Sequence, residues 1–122
     1  MSGDKVALGE AFAALAEPWR PRVVARLNGQ EVKVARLEGP FVWHHHADAD
    51  ELFMVWRGSL EMQFRDRVVV MSPGDLIVVP RGVEHQPYAP EETEDVLFEP
   101  ATTLNTGNVR NERTRETLKR IS

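Results

Sequence analysis

The sequence predicts an all-β protein, a single antiparallel β-barrel or double-stranded β-helix (jelly roll) with a short N-terminal helix. Short β-branched and apolar runs follow one another through residues 22–101, turn residues separate them at close intervals, and no helical pattern interrupts them. A chain of 122 residues with 42% hydrophobic and 28% charged residues has the size and composition of one globular domain with a single core.

The composition changes along the chain and divides it into three parts. We expect an N-terminal helix or arm in residues 1–21, the barrel in residues 22–101 and a polar C-terminal tail in residues 102–122. The tail is expected to be solvated or to form a short terminal helix, and the alternative is an arm that reaches a second subunit. Its basic residues are Arg110, Arg113, Arg115, Lys119 and Arg120.

The N-terminal helix is expected over residues 4–17. Leu8, Phe12 and Leu15 then fall on one face, which would pack on the outside of the barrel. Asp4 is the expected N-cap, and the proline that follows this segment should end the helix, because the residue before a proline disfavours helical backbone.

Turn signals delimit the strands. Asn28 and Gly29, between two alternating runs, are typical of a two-residue hairpin with a type I′ turn. Residues 72–75 form a second clear turn, and Gly58 and Gly82 mark two more. We expect eight to ten short strands, in the runs 23–27, 30–37, 43–46, 51–56, 59–64, 68–71, 76–79, 83–88 and 94–99.

Four potential metal ligands lie in two short stretches. His44 and His46 are two residues apart, Glu51 comes soon after them, and His85 follows a Pro-x-Gly turn. Because side chains alternate along a strand, His44 and His46 share one face and His45 points away from it. Buried imidazoles and carboxylates are costly unless they are paired, and a divalent cation accepts lone pairs from all of them. We therefore predict one metal site from these four residues, without His45.

Other side chains are candidates for the cavity around this site. By alternation we expect Phe53, Val55 and either Leu76 or Ile77 in its wall, and an ordinary core position is the alternative for each. Polar side chains that are candidates for contacting a ligand are Tyr88, Arg57, Glu61, Gln63 and Arg65.

The first of the two stretches resembles the first sequence motif of the cupin family, G-x5-H-x-H-x3–4-E-x6-G. One residue fewer than in the motif precedes the first histidine. The matching residues are Gly39, His44, His46, Glu51 and Gly58.

The second stretch resembles the second cupin motif, G-x5-P-x-G-x2-H-x3-N. Gly74, Pro80, Gly82 and His85 match it, and Ala89 stands where the motif has asparagine. The residue at that position is not a usual metal ligand in the family. Alanine in place of asparagine is therefore expected to affect how the following strand turns and not the metal site. The short spacer between the two motifs resembles that of small single-domain cupins.

The resemblance implies a barrel that holds a six-coordinate metal on three histidines and one glutamate, which are His44, His46, Glu51 and His85 in this chain. The cofactor would be one divalent transition metal, with Fe, Mn, Ni, Co, Cu and Zn all left open, because this donor set favours first-row metals over Mg or Ca. Two positions would stay open for water, dioxygen or a chelating substrate. The resemblance also implies a homodimer.

For function we expect a metal-dependent enzyme that acts on a small polar or aromatic molecule. Dioxygenase chemistry is the first hypothesis, and isomerase or lyase chemistry comes next. The alternative is a cupin module that binds a small ligand without converting it, and a barrel without metal is a third possibility. The sequence holds no nucleophile beside a base, phosphate-binding loop or dinucleotide fingerprint that would indicate another enzyme class.

Composition also limits the expected partners and location. A net charge of −4 without a basic face argues against nucleic acid, and no apolar run approaches the roughly 18–20 residues of a transmembrane helix. The absence of cysteine excludes disulfides and cysteine-ligated metals, and no secretory signal pattern is visible. We expect a cytoplasmic protein whose partner is a small molecule, with neither nucleic acid nor membrane as a partner.

Overall fold

A computed structural model describes residues 3–111 and residue 114. In this part of the chain there are one helix and seven strands, and every strand pair is antiparallel. The predicted all-β fold with a short N-terminal helix is confirmed. The elements are α1 (Leu8–Ala13), β1 (Arg22–Leu27), β2 (Gln30–Pro40), β3 (Glu51–Arg57), β4 (Leu60–Phe64), β5 (Val68–Met71), β6 (Leu76–Val79) and β7 (His85–Pro100).

The strands form two layers. The larger layer has the order β1-β2-β7-β3-β6, and in the smaller one β4 pairs with β5 and β7. Residues 85–88 of β7 pair with β4, whereas residues 93–100 pair with β2, so β7 crosses from one layer to the other. β2 crosses in the same way near Gly39, which pairs with Ala89. Within the described residues the ladders do not close into a ring, and the two layers of bent strands make the jelly roll.

The main core lies between the two layers. Phe53 and Val55 are buried in it, and Ile77 packs against it from β6. Leu76 faces solvent with 59% of its surface exposed, because the pairing of Phe53 with Ile77 turns Ile77 inward and its neighbour outward. Of the residues expected in a cavity wall, only Phe53 lines the cavity beside the histidines, and Val55 and Ile77 take the ordinary core positions that were the alternative.

The N-terminal helix is shorter than the sequence predicts. It begins after Ala7, which has no side-chain capping bond, so the expected cap at Asp4 is wrong and so are the limits 4–17. After the helix the chain runs back along the sheet, where the N–H of Trp19 donates to the carbonyl of Arg36 at 2.8 Å. The expected apolar face is correct, since Phe12 packs with its neighbours on a second core cluster outside the larger layer.

The predicted hairpin at Asn28-Gly29 is confirmed. Both residues have positive φ, 52° and 75°, as a type I′ turn requires, and Leu27 pairs with Gln30 across it. Two other strand predictions are wrong. The run 43–46 is a loop with a single bridge to β7, and the two expected last strands are one strand of 16 residues, because β7 keeps pairing while it changes layers.

Residues 101–111 make turns, with no helix or strand in that range. Four basic residues of the predicted tail, Arg113, Arg115, Lys119 and Arg120, lie outside the described residues, so the tail stays a prediction. A search of the described residues finds no helix with the length and apolar character needed to cross a membrane.

Candidate metal centre

The two histidine stretches lie side by side because their backbones bond to each other. His44 and His85 exchange two backbone hydrogen bonds of 3.0 and 2.9 Å in an isolated bridge. The carbonyl of His46 accepts a hydrogen bond from the N–H of Gly82 at 2.7 Å. Gly82 has a φ of 77°, a value that side-chain-bearing residues rarely adopt. The Pro-x-Gly turn therefore holds all three imidazoles in one place, next to Glu51 at the start of β3.

Backbone carbonyls orient two of the imidazoles. The Nδ1–H of His44 donates to the carbonyl of Val42, and the Nδ1–H of His85 donates to the carbonyl of Val83, both at 2.9 Å. Because a carbonyl oxygen only accepts, the proton of each neutral ring is on Nδ1 and the lone pair is on Nε2. This is the arrangement that metal-binding histidines usually have.

The four predicted ligands converge on one point. All four are buried, and one potential ligand atom from each lies within 4.8 Å of the others. Glu51 Oε1 is 3.2 Å from His46 Nε2 and 3.4 Å from His85 Nε2, yet none of these three buried atoms makes a hydrogen bond. Unsatisfied buried polar atoms are rare because each one costs free energy of desolvation. A cation at the centre would satisfy them together, so this four-residue group can hold a metal ion.

The protonation states also suit a metal. The pKa of His44 is lowered to about 4, first by burial and then by the neighbouring His85. Burial by itself would raise the pKa of Glu51, but its contacts with Glu99, His46 and His85 outweigh burial and hold that pKa well below the usual value. At pH 7 His44 is therefore neutral and Glu51 is ionised, which are the states that ligate metals.

His45 lies outside the four-residue group, as predicted, and contacts the C-terminal segment through its backbone. Its N–H donates to Asn108 Oδ1 at 2.9 Å, and its carbonyl accepts from the N–H of Asn108 at 3.1 Å. Gly107 lies against the same carbonyl, where a Cβ atom would overlap it. Residues 101–111 thus pack over the outer side of the histidine loop.

A cavity of about 40 Å³ adjoins the four-residue group on the inner side. His44 and Glu51 form part of its wall, so a cation held by the group would face it. A water molecule needs about 10–15 Å³ of such volume, which makes the cavity large enough for about three waters or a compact ligand. The apolar part of its lining includes Trp19, Leu37, Phe41, Phe53, Pro87 and Leu97.

Three further ionisable side chains line the same cavity, and we call Lys33, Asp95 and Glu99 the carboxyl cluster. Lys33 Nζ donates to Glu99 Oε1 at 2.7 Å. Glu99 also contacts Glu51, its neighbour across the β3–β7 ladder. Both carboxyl oxygens of Asp95 are buried and have no hydrogen-bond partner in the protein.

The carboxyls of the cluster hold their protons more strongly than usual. Burial raises the pKa of Asp95 well above its ordinary value, and the negative charge of Glu51 raises it further. Burial and the charge of Glu51 also raise the pKa of Glu99, and together they outweigh the opposing effect of Lys33. The contact between these two carboxyl groups therefore lowers the pKa of Glu51 and raises that of Glu99.

The sequence prediction missed the carboxyl cluster. Lys33 does alternate with Val32 and Val34, which hints at an inward-facing lysine. The hint is weak because α1 covers the outer face of the sheet, so β2 and β7 carry apolar residues on both faces. The polar residues named from the sequence as candidates for ligand contact are not among those that line this cavity, because the inward positions of β4 are apolar and the others lie near strand ends or on outward faces. They are Tyr88, Arg57, Glu61, Gln63 and Arg65.

Comparison with known proteins identifies the family. The family model described as "Cupin domain" matches residues 23–101. The chain is 36% identical over 64 residues to the uncharacterized protein YdbB of Bacillus subtilis (strain 168), a match that covers 52% of this chain and 57% of YdbB. The chain thus matches little more than half the length of this curated relative.

Two solved structures extend the similarity over more of the chain. A cupin-2 domain containing protein from Shewanella frigidimarina is 41% identical with a TM-score of 0.77, covering 78% of this chain and 93% of that one. Protein NMB1881 from Neisseria meningitidis is 27% identical with a TM-score of 0.73, covering 80% of this chain and 100% of that one. With its two motifs, its jelly roll and its buried His-His-Glu-His group, the chain belongs to the cupin family.

Proposed function

We propose that the protein is a metal-dependent enzyme that converts a small molecule bound in the cavity beside His44 and Glu51. The ion would be one divalent transition metal held by the four-residue group. The observation that carries the proposal is the shared wall, because the cavity adjoins two of the four potential ligands directly. A purely structural ion is usually enclosed by its ligands, whereas a catalytic ion keeps a position that substrate can reach.

Within this class, dioxygenase chemistry is the first candidate. A bound cation would polarise a substrate oxygen and, if it is iron, also activate dioxygen. Most of the residues that line the cavity are apolar, and backbone carbonyls fix the orientation of the His44 and His85 rings with Nε2 left for a metal.

Isomerase or lyase chemistry is the second candidate, and the carboxyl cluster favours it. Such reactions move a proton to or from a carbon next to a carbonyl group, which requires an acid or base inside the cavity. Asp95 lines the cavity with both carboxyl oxygens unpartnered. It is the kind of group that can hold or accept that proton.

Oxygen uptake and solvent exchange separate the two candidates. The protein would be reconstituted anaerobically with Fe(II), and oxygen consumption measured with catechols, diketones and thiols. The same protein would then be incubated with small hydroxyketones in D2O, and deuterium incorporation followed by NMR. The variant His46→Ala is the control for both assays, because it removes one ligand. Substrate-dependent oxygen uptake supports a dioxygenase, and deuterium incorporation without uptake supports an isomerase or lyase.

The alternative is a cupin that binds a small ligand without converting it. A compound that raises the melting temperature of the metal-loaded protein, and is recovered unchanged after long incubation, would favour that alternative. Absence of any metal-dependent turnover across both panels would count against the enzyme proposal.

The proposal includes a homodimer. Leu76 and Val78 of the edge strand β6 are 59% and 49% exposed, and Trp56 of the neighbouring strand β3 is 44% exposed. An exposed apolar edge of this kind is a plausible subunit contact, and light scattering coupled to size-exclusion chromatography would test it. The cytoplasmic location expected from the sequence stays a prediction within the same proposal.

A further inference from the structure

Asp95 is buried in a way that folding alone does not explain. None of its surface is exposed, and both carboxyl oxygens lack a hydrogen-bond partner. Its neighbours across the two ladders are Ala35 on β2 and Val55 on β3, neither of which has a polar side chain. An unpartnered carboxyl in apolar surroundings destabilises the fold, and an apolar residue of similar size would avoid that cost.

The rest of the carboxyl cluster differs from Asp95 in this respect. Lys33 and Glu99 bond to each other at 2.7 Å, and Glu99 also contacts Glu51. These contacts give both residues a structural role beside the four-residue group. Asp95 has no such contact, although it lines the same cavity. Asp95 is therefore the member of the carboxyl cluster that leaves both oxygens for a ligand, whereas Glu99 leaves only Oε2.

We infer that Asp95 binds the ligand of this cavity, and that this ligand is a short-chain compound with a hydroxyl group next to a carbonyl or carboxylate group. The inference rests on the proposed function, because it assigns the carbonyl or carboxylate group of the ligand to the bound cation.

Three features of the cavity define the ligand class. A six-coordinate cation held by the four-residue group would leave two positions for a ligand, and two adjacent ligand oxygens would fill them best. Both oxygens of Asp95 lack a partner, and a hydroxyl group can pair with a carboxyl whether or not that carboxyl carries its proton, because a hydroxyl both donates and accepts. A volume of about 40 Å³ limits the ligand to a few non-hydrogen atoms beside the apolar lining.

Charge decides between a hydroxyl and an amine as the donor. Lys33 carries a positive charge in the same cavity, and a divalent cation would add two more. An ammonium group would be repelled by both, whereas a hydroxyl group is neutral and can donate to Asp95. Carboxylates and carbonyls, in contrast, are attracted to the cation.

The test compares matched ligand pairs that differ by one hydroxyl group. Titration calorimetry would measure the binding of each probe to the full chain loaded with Mn(II), after elemental analysis confirms the metal. The pairs are glycolate and acetate, lactate and propionate, and hydroxyacetone and acetone. The cation itself favours the hydroxylated member of each pair. The decisive quantity is therefore the change of that preference in Asp95→Val, which removes the carboxyl and fits the apolar surroundings.

We expect the wild type to prefer the hydroxylated probes and Asp95→Val to lose about tenfold or more of that preference, with metal content unchanged. Asp66→Val, in the exposed turn before β5, should keep the wild-type preference. If Asp95→Val does not fold, Asp95→Asn should show a smaller loss in the same direction. An unchanged preference in the Asp95 variant, or no binding of hydroxylated probes to the metal-loaded wild type, overturns the inference and leaves the metal site standing. Failure of the wild type to take up metal would overturn the proposed function and this inference together.

Discussion

The two polar groups beside the cavity differ in whether the protein itself supplies a positive charge. In the four-residue group, His46, Glu51 and His85 point unpaired atoms at one another at 3.2–3.4 Å. In the carboxyl cluster, Lys33 pairs with Glu99 at 2.7 Å, while both oxygens of Asp95 stay unpaired. The first group needs a cation from outside the protein, whereas the second contains one in Lys33.

This difference between the two groups predicts which substitutions alter stability and which alter metal binding. Removal of one partner of a buried ion pair leaves an uncompensated buried charge, which destabilises the fold strongly. A convergent set of lone pairs contributes little until an ion binds. We therefore expect changes in the carboxyl cluster to alter stability most, and changes in the four-residue group to alter metal binding most.

The largest expected effect on folding comes from Lys33→Met. Glu99 loses its cation while it stays buried, and we expect the free energy of unfolding to fall by about 3 kcal/mol, the low end of the range for broken buried pairs because Glu99 can take up a proton. Urea denaturation at pH 7 would measure it.

Arg20→Met is the matched control for this prediction. Arg20 pairs with Glu17 at 2.9 Å, and the two side chains are 43% and 60% exposed, so less than about 1 kcal/mol should be lost. Similar losses in the two variants would show that the carboxyl cluster is no more stabilising than a surface pair.

Loss of one ligand should reduce metal affinity by more than about 100-fold. Substitution of a residue that only hydrogen-bonds to a metal ligand typically reduces metal affinity by about 10- to 100-fold already. Glu51→Ala and His46→Ala should both lose the metal on gel filtration and keep their β-sheet circular dichroism. His45→Ala should keep the full metal content, because His45 lies outside the group. Full metal content in both ligand variants would refute the assignment.

Removal of the metal should lower stability by a smaller amount. Binding to the native state alone stabilises by about 2.7 kcal/mol when free metal is 100 times its Kd. Dialysis against a chelator should therefore lower the melting temperature, and readdition of metal should restore it. In Glu51→Ala the chelator should have no effect on the melting temperature, and an equal effect in both proteins would place the stabilising ion elsewhere.

The smallest effect concerns pH. Burial raises the pKa of Asp95 in the folded protein, so above the usual Asp value of about 3.9 the native state binds a proton that the unfolded state has lost. The free energy of unfolding of the wild type then falls as pH rises through that window. Asp95→Asn carries no such proton, so its stability relative to the metal-free wild type should increase by about 1 kcal/mol or more between pH 4.5 and 7.5. A constant difference in urea denaturation across these pH values would contradict the raised pKa.

The sequence predicts the metal group better than its surroundings. His44, His46, Glu51 and His85 occur at motif spacing, and backbone hydrogen bonds of His44 with His85 and of His46 with Gly82 bring the two stretches together. The prediction of their convergence is therefore confirmed even though residues 43–46 form a loop and not a strand.

The carboxyl cluster could not be found in the same way because it depends on register between distant strands. Lys33 and Glu99 are 66 residues apart, and their contact follows from the β2–β7 pairing. The helix was predicted too long for a related reason. An apolar face continues to Leu15, but it packs on the sheet without helical backbone at that residue.

The central claim is that four side chains hold one cation, and an anomalous difference map of crystals grown with the native metal tests it most directly. We predict one peak at about 2.0–2.2 Å from one nitrogen each of His44, His46 and His85 and from a carboxylate oxygen of Glu51. A map without a peak among these four side chains, or with the peak elsewhere on the molecule, would contradict the claim.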